Sequence, residues 1–252
     1  MEGLFCLEVS YLTHIGDRSN QEDTLRVADK VVRGDFEEGR LKVEGNGAVF
    51  AVCDGMGGHD FGEVASLWVA ERVGSLLDAR CEEEIREGIY RIQRESEGVL
   101  PENSGTTLAF LLIFGGVAFA GNVGDSRVYV VRGGEMEQVT RDHSVVYEMF
   151  LRGEISKEEA REHPMRNLVT LGIGPIFSGE WRGPSNVHVV VLPEFDYALL
   201  CTDGVSDNLS DEEMGFLVAT FGFDSPREMF SRVRERVPFG LDNFSAVVVR
   251  RL

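Results

Sequence analysis

The sequence V49-F-A-V-C-D-G-M-G-G-H59 is an apolar run that stops at Asp54 and is followed at once by a glycine-rich turn. A second apolar run, A198-L-L-C-T-D203-G204, also ends on Asp-Gly. Both runs have the composition of a core strand, and Asp-Gly is a common turn pair. The two segments therefore predict core strands that each place an aspartate at an edge of a sheet.

Strand-like runs recur at about nine places along the chain. They cover residues 5–12, 24–28, 41–43, 48–53, 107–122 (as a hairpin), 127–132, 187–192, 197–202 and 245–250. Helical periodicity covers residues 62–77, 83–98, 144–152, 156–162, 211–220 and 226–236. Short Gly, Asn and Asp turns join most of the strands, which favours antiparallel pairing. The pattern predicts an α+β sandwich in which helices cover the sheets.

Two stretches need a separate interpretation. Residues 103–124 carry no charge, but Gly115-Gly116 divides them into two runs rich in apolar residues. They therefore predict a buried hairpin rather than a membrane span. Residues 29–47 are interpreted as a long hairpin with a solvated turn.

The chain shows no boundary that would divide it into independent domains. It has no Pro-rich linker, low-complexity segment or internal repeat, so residues 1–252 are expected to form a single domain. Residues 141–185 differ from the rest of the chain in composition. They are charged, helical and rich in loops, and they lie between two halves that are rich in strands. We interpret them as a flap subdomain.

Charge and cysteine content exclude several classes of protein. Lys and Arg total 25 against 43 Asp and Glu, so the net charge is −18, and neither nucleic acid nor a membrane surface is an expected partner. The four cysteines form no C-x-x-C pair, which argues against a disulfide framework or a zinc knuckle. None has an arginine six residues downstream, as thiol-dependent phosphatases require.

The N-terminus shows no signal-peptide pattern, so we expect a cytoplasmic protein. We also expect it to be a monomer.

Acidic residues also precede other strands. Asp242 and Asp125 each come just before a strand-like run, and so does the pair Glu22-Asp23. If neighbouring strands are antiparallel, the end of one lies at the same edge as the start of the next. Each Asp alone can equally be a turn residue. Together the acids would repel one another unless a cation lies among them, and an oxygen-only set suits Mg²⁺ or Mn²⁺, so a binuclear metal site is expected.

Motifs in a fixed order make the chain similar to a known family. They are R18-S-N-Q-E-D23, V49-F-A-V-C-D-G-M-G-G-H59 with G62-E-V-A-S66, S104-G-T-T107, G121-N-V-G-D-S-R-V-Y129, T140-R-D-H-S144, L200-C-T-D-G-V-S-D207 and D242-N-F-S245. This set resembles the metal-dependent serine/threonine protein phosphatases of type 2C, and residues 153–167 resemble the flap of the bacterial branch. The resemblance runs from residue 8 to residue 250. It implies a four-layer α-β-β-α sandwich, with two antiparallel sheets flanked by helices and a binuclear metal site at one edge of the sheets.

The resemblance also implies roles for individual residues. Those that match metal ligands are Glu22, Asp23, Asp54, Gly55, Asp203 and Asp242, with Asp125 matching the ligand of a third, weaker metal. Asp54 would bridge two Mn²⁺ or Mg²⁺ ions, and the carbonyl of Gly55 would contribute. The sequence leaves open which of Glu22 and Asp23 contacts metal directly and which acts through water. Arg18 matches the residue that holds the substrate phosphate.

The implied reaction is hydrolysis of phosphoserine and phosphothreonine monoesters by a hydroxide that bridges the metals. The implied partners are phosphorylated proteins and a Ser/Thr kinase whose action the enzyme reverses. The alternative is a non-catalytic relative that acts as a scaffold or regulatory binding module, which would be expected to lack metal ligands. The sequence also lacks G-x-G-x-x-G and G-K-[ST] phosphate loops, and its five histidines are too dispersed for a histidine-based metal site.

Two positions depart from the family pattern. Eukaryotic members carry a histidine, a proposed general acid, directly after the Asp-Gly pair, whereas this chain has Met56 there and a histidine at His59. His59 would be either the proton donor to the leaving alkoxide or a turn residue, and a metal-bound water is the other candidate donor. After Thr170 the bacterial branch usually has an arginine, where this chain has Leu171. This departure bears on substrate preference more than on activity.

Overall fold

The computed structural model describes residues 4–57 and 61–252. The strands of these residues are β1 (Phe5–His14), β2 (Asp23–Val27), β3 (Lys30–Val32), β4 (Phe36–Gly45), β5 (Gly47–Met56), β6 (Gly105–Thr106), β7 (Leu108–Phe114), β8 (Val117–Val123), β9 (Arg127–Arg132), β10 (Glu135–Gln138), β11 (His188–Leu192), β12 (Tyr197–Cys201) and β13 (Phe244–Arg251). The α-helices are α1 (Gly62–Arg72), α2 (Glu82–Ser96), α3 (Val145–Leu151), α4 (Lys157–Glu162), α5 (Asp203–Ser206), α6 (Asp211–Phe221) and α7 (Ser225–Arg236).

The strands form two antiparallel sheets, as expected. The first sheet has the order β10-β9-β12-β13-β1-β4, and the second has the order β11-β8-β7-β5-β2-β3 with the short β6 beside β5. The turn between β7 and β8 contains Gly115 and Gly116, both with positive φ, which glycine adopts without steric cost. The uncharged segment 103–124 thus contains the predicted buried hairpin. In the part of the chain that the structure describes, no helix is long and apolar enough to cross a membrane.

The sheets pack face to face and helices cover their outer faces, which gives the four layers α-β-β-α. Side chains alternate along each strand. In β5, Phe50 and Val52 enter the core between the sheets, whereas Val49 and Ala51 pack under α1 and α2. Because both faces are covered, a central strand needs apolar residues at every position, which explains the continuous apolar run before Asp54.

The segment 29–47 is not the hairpin that its sequence suggested. Its first part, β3, pairs with β2 in the second sheet, whereas β4 pairs along its whole length with β1 in the first sheet. The chain therefore crosses between the sheets here. Because β4 is an edge strand, its residues alternate between exposed and half-buried, a pattern that is hard to distinguish from a solvated hairpin.

The two helices of the flap segment (residues 141–185) begin at capping serines. The hydroxyl of Ser144 accepts the N–H of Tyr147 at 3.4 Å, and Ser156 forms a reciprocal capping box with Glu159. The helices α3 and α4 are only seven and six residues long. Helices of this length are not stable alone, so contacts with the rest of the protein must hold them in place.

Candidate active site

Asp203 and Asp242 lie at the same edge of the first sheet. Asp203 stands two residues after β12, at the start of α5, and Asp242 stands two residues before β13, which is antiparallel to β12. The start of α5 and the loop before β13 touch at Gly204, where a β-carbon would lie only 2.0 Å from the carbonyl oxygen of Asn243. The glycine after Asp203 is therefore required for this close approach.

Asp23 and Asp54 lie at the corresponding edge of the second sheet. They are direct partners in the antiparallel register of β2 and β5. A β-carbon at Gly55 would lie 2.2 Å from the carbonyl oxygen of Gly62, so this Asp-Gly pair also depends on its glycine. The carboxyl group of Asp54 interacts electrostatically with that of Asp203, which follows β12 of the first sheet. The edges of the two sheets therefore meet at this pair of aspartates.

Asp125 and Glu22 complete the acidic edge. Asp125 stands two residues before β9, the neighbour of β12, and lines one cavity together with Asp203. The N–H of Glu22 donates to the side-chain oxygen of Asn243 at 2.8 Å, which ties the loop before β2 to the loop that carries Asp242. Every acidic residue that the sequence predicted as a ligand is thus brought to one end of the sandwich.

Hydroxyl and amide side chains that the sequence interpretation did not include hold this edge together. The hydroxyl of Thr202 donates to Oδ2 of Asp23 at 2.9 Å, and the hydroxyl of Thr107 accepts the N–H of Asp54 at 3.0 Å. Asn243 also donates its amide to backbone carbonyls of the loop after β1. Each of these three side chains stands within one of the motifs quoted above. Thr202 is next to Asp203 and Asn243 is next to Asp242, and this position in a motif is the signal that could have identified them.

The crowding of carboxylates raises their pKa values. Burial is the largest cause and the neighbouring carboxylates add to it, so the pKa of Asp23 rises to about 8 and that of Asp203 to about 7. The same two causes raise the pKa values of Asp54 and Asp125 well above their usual range. Near neutral pH, the edge without a cation therefore retains protons that isolated carboxyl groups would have lost.

The acidic edge fits a divalent cation by charge and by donor type. Oδ1 of Asp23 and Oδ1 of Asp203 are buried, and neither has a hydrogen-bond partner in the described residues. Such oxygens are costly to bury unless a cation compensates them, and an all-oxygen set suits Mg²⁺ or Mn²⁺. Within residues 4–57 and 61–252, no three His, Cys, Asp or Glu side chains are gathered closely enough to hold an ion. A cation bound at this edge would offset the repulsion among its carboxylates.

Arg18 places a guanidinium at the rim of the acidic edge. Its Nη2 lies 2.5 Å from Oδ2 of Asp242, and its side chain is 57% exposed. The hydrogen bond with Asp242 raises the pKa of Arg18. Since a guanidinium carries five N–H donors, Arg18 can keep this contact and still donate to a phosphate.

The cysteines and histidines are placed differently from the acids. Cys53 and Cys201 are fully buried, and burial raises the pKa of both thiols, which opposes a nucleophilic role. The ring of His143 contacts the backbone of Gly124 and Asn186, so it braces the flap segment. His59 lies outside the described residues.

Comparison with known proteins agrees with this arrangement. A sequence profile described as Protein phosphatase 2C matches residues 28–238. The chain is 30% identical over 260 residues to protein phosphatase PhpP of Streptococcus pneumoniae, covering 96% of this chain and 97% of that one. Its fold matches the serine/threonine phosphatase of S. agalactiae with a TM-score of 0.77 and 27% identity, over 97% of this chain and 99% of the other.

A further solved structure bears on the metal. It is the catalytic domain of the serine/threonine protein phosphatase PstP in complex with two manganese ions, and it matches with a TM-score of 0.70 and 28% identity over 98% of this chain and 99% of that one. The family profile spans most of the chain, and the relatives match over nearly their whole lengths. This chain therefore belongs to the protein phosphatase 2C family and is a metal-dependent serine/threonine protein phosphatase.

Proposed function

We propose that the acidic edge holds two divalent cations through the carbonyl of Gly55 and the side chains of Glu22, Asp23, Asp54, Asp203 and Asp242. The observation that carries this proposal is the meeting of carboxylates from both sheets at one edge, where two buried carboxylate oxygens have no donor in the described residues. Asp54 would be the ligand shared by both cations, because it is opposite Asp23 in the register of β2 and β5 and its carboxyl group interacts with that of Asp203. Glu22 and Asp23 contribute directly or through water.

The two cations are proposed to be Mn²⁺ or Mg²⁺. The all-oxygen donor set supports this choice, and so does the presence of two manganese ions in the related PstP structure. Asp125 is proposed to bind a third, more weakly held cation. It shares a cavity with Asp203 and stands before β9, the neighbour of β12.

Arg18 binds the phosphate of the substrate in this proposal. The guanidinium can donate two parallel N–H groups to non-bridging oxygens, over which the negative charge spreads in the transition state. Asp242 orients it through their mutual hydrogen bond. When bound, the cations supply Lewis-acid activation of a water molecule and of the phosphoryl oxygens. The assignment of His59 as donor of a proton to the leaving alkoxide stays a prediction, because His59 lies outside the described residues.

The substrates are proposed to be proteins phosphorylated on serine or threonine, and a Ser/Thr kinase that acts on the same proteins is the expected counterpart. We propose that the enzyme works in the cytoplasm, and the four free cysteines agree with a reducing compartment. A monomer is the expected state of the chain. The net charge of −18 disfavours nucleic acid and membrane surfaces as partners. Residues 1–252 would form one catalytic domain, with residues 141–185 as its flap.

The proposed function is tested by metal-dependent hydrolysis. Purified protein, stripped of metal, is assayed on a phosphothreonine peptide and on p-nitrophenyl phosphate with Mn²⁺, with Mg²⁺ and with excess EDTA. We expect both substrates to be hydrolysed with either cation and the rate to fall to background in EDTA, because the carboxylates alone can only repel a phosphate. Hydrolysis that persists undiminished in EDTA would contradict the assignment.

A further inference from the structure

The helices α3 and α4 of the flap segment are held by charge, whereas the later part of the segment packs Leu171, Ile173, Phe177 and Trp181 into the apolar core under α1 and α2. Helix α4 buries no residue, and α3 buries only Val146. The contacts that join α4 to the rest of the protein are instead ionic. Such contacts can fix the position of a helix, but each contributes little free energy, so the helix can still move. The placement of α4 therefore depends on a small number of charged partners.

Asp211 is the residue on which these contacts meet. Lys157 donates to its Oδ2, and Nη2 of Arg161 lies 3.0 Å from its Oδ1. Arg161 also donates to the carbonyl of Leu209 at 3.3 Å. The side chain of Asp211 is 16% exposed, so solvent screens these charge-assisted bonds less than it screens surface ion pairs. The carboxylate of Asp211 thus pairs with both basic side chains of α4.

The position of Asp211 in the fold makes it a rigid point of attachment. It is the first residue of α6, whose start is fixed by a capping box between Ser210 and Glu213. The next turn of the helix buries Met214 and Leu217 in the apolar layer that covers the first sheet. When Lys157 or Arg161 pairs with Asp211, the flap segment is therefore attached to the body of the enzyme.

A cavity of about 400 Å³ lies between the flap segment and the acidic edge. Tyr147 and Phe150 line it on the flap side, Asp125 and Asp203 line it at the metal edge, and Asp211 lies in its wall. The cavity is far larger than a phosphoryl group and is within the range of volumes that proteins use to bind small ligands. Lys157, Ala160 and Arg161 of α4 and Asp211 of α6 all line it, so a shift of α4 against α6 would change its width.

We propose that Asp211 is a positioning residue for phosphoprotein substrates. By holding Lys157 and Arg161 it fixes the position of α4, and the cavity is then wide enough to receive the polypeptide beside the phosphorylated residue. This inference rests on the phosphatase function proposed above. A small aryl phosphate needs only the metal edge of the cavity, whereas a peptide would also extend along its flap side. The ionic contacts at Asp211 therefore determine how tightly a peptide binds, and they leave the chemical step alone.

The test compares a phosphothreonine peptide with p-nitrophenyl phosphate in the presence of Mn²⁺. Asp211→Asn removes the charge and keeps the size of the side chain. We expect the KM for the peptide to rise about fivefold to tenfold, as the loss of charge-assisted hydrogen bonds implies. The kcat for both substrates and the KM for the aryl phosphate should stay within about twofold of wild type. Glu212→Gln is the matched control, because it removes an equal charge from an exposed position in the same helical turn.

A second set of variants shows whether Asp211 acts through the flap. Lys157→Met combined with Arg161→Met should raise the peptide KM as Asp211→Asn does, and adding Asp211→Asn should raise it no further, because its partners are already gone. Asp211→Glu should restore most of the affinity for the peptide. The flap changes are at exposed or half-buried positions, so they report on the contact even if Asp211→Asn does not fold.

Several outcomes would overturn the inference. They are an unchanged peptide KM in both Asp211→Asn and the flap double variant, an equal loss of activity on both substrates, and additive effects in the combined variant. A wild-type protein without metal-dependent activity on either substrate would instead overturn the phosphatase function itself. The two failures are therefore distinguishable.

Discussion

Replacing Asp54 by asparagine is expected to lower kcat/KM for p-nitrophenyl phosphate by roughly a thousandfold or more, because losing cation stabilisation of the transition state costs several kcal/mol and each 1.4 kcal/mol is tenfold in rate. The substitution keeps the shape of the side chain and removes its charge. Asp54 is opposite Asp23 in the register of β2 and β5, and its carboxyl group interacts with that of Asp203, so we expect no neighbouring acid to take its place. Steady-state kinetics with saturating Mn²⁺ measures the effect.

The loss should not come from unfolding. Burial and like charges already raise the pKa of Asp54, so the ionised form is unfavourable in the metal-free protein and its removal relieves repulsion. We expect metal-free Asp54→Asn to unfold at a temperature no lower than that of wild type. Asp224→Asn is the control, since Asp224 is an exposed acid that pairs with Arg40 away from the acidic edge. Activity of Asp54→Asn within tenfold of the control would contradict the bridging role.

Replacing Arg18 by alanine is expected to lower kcat/KM by about a hundredfold to a thousandfold, which corresponds to two charge-assisted hydrogen bonds to the phosphate. Because Arg18 would bind the phosphate in both the ground state and the transition state, KM should rise and kcat should fall together. Both the peptide and the aryl phosphate should be affected, in contrast to the effect of Asp211→Asn. Inhibition by inorganic phosphate should weaken in parallel.

Arg18→Lys separates charge from geometry. A lysine keeps the charge but cannot donate two parallel N–H groups, so it should recover only part of the lost activity. Arg40→Ala is the matched control for net charge, because Arg40 is an exposed arginine that pairs with Asp224. If Arg18→Ala retains the phosphate inhibition constant of the control, the assigned phosphate contact is wrong.

The elements that carry the site could be predicted because their signals are local. Apolar strands that end on Asp54 and Asp203 follow from the four-layer fold, in which central strands are covered on both faces. The antiparallel order of β12 and β13 then places Asp242 beside Asp203, as expected. The residue types that bind cations and phosphate are few, so short motifs identify them.

Features that depend on tertiary placement were not predictable in the same way. The chain crosses between the sheets in residues 29–47 because β4 forms the edge of the first sheet. Its alternating sequence does not indicate that it pairs with β1. The bond from Thr202 to Asp23 joins residues 179 positions apart. The flap contacts at Asp211 likewise join charged residues that, read in sequence, look like ordinary solvated side chains.

The most direct test of the acidic edge is calorimetric titration of the metal-free protein with Mn²⁺ in buffers of different ionisation enthalpy. With pKa values of about 8 for Asp23 and about 7 for Asp203, the edge retains protons at pH 7, and a bound cation must displace them. The predicted result is binding of two Mn²⁺ per chain with net proton release at pH 7, less release at higher pH, and loss of binding in Asp54→Asn. Absence of Mn²⁺ binding, or equal binding by wild type and Asp54→Asn, would contradict the assignment of this edge as the metal centre.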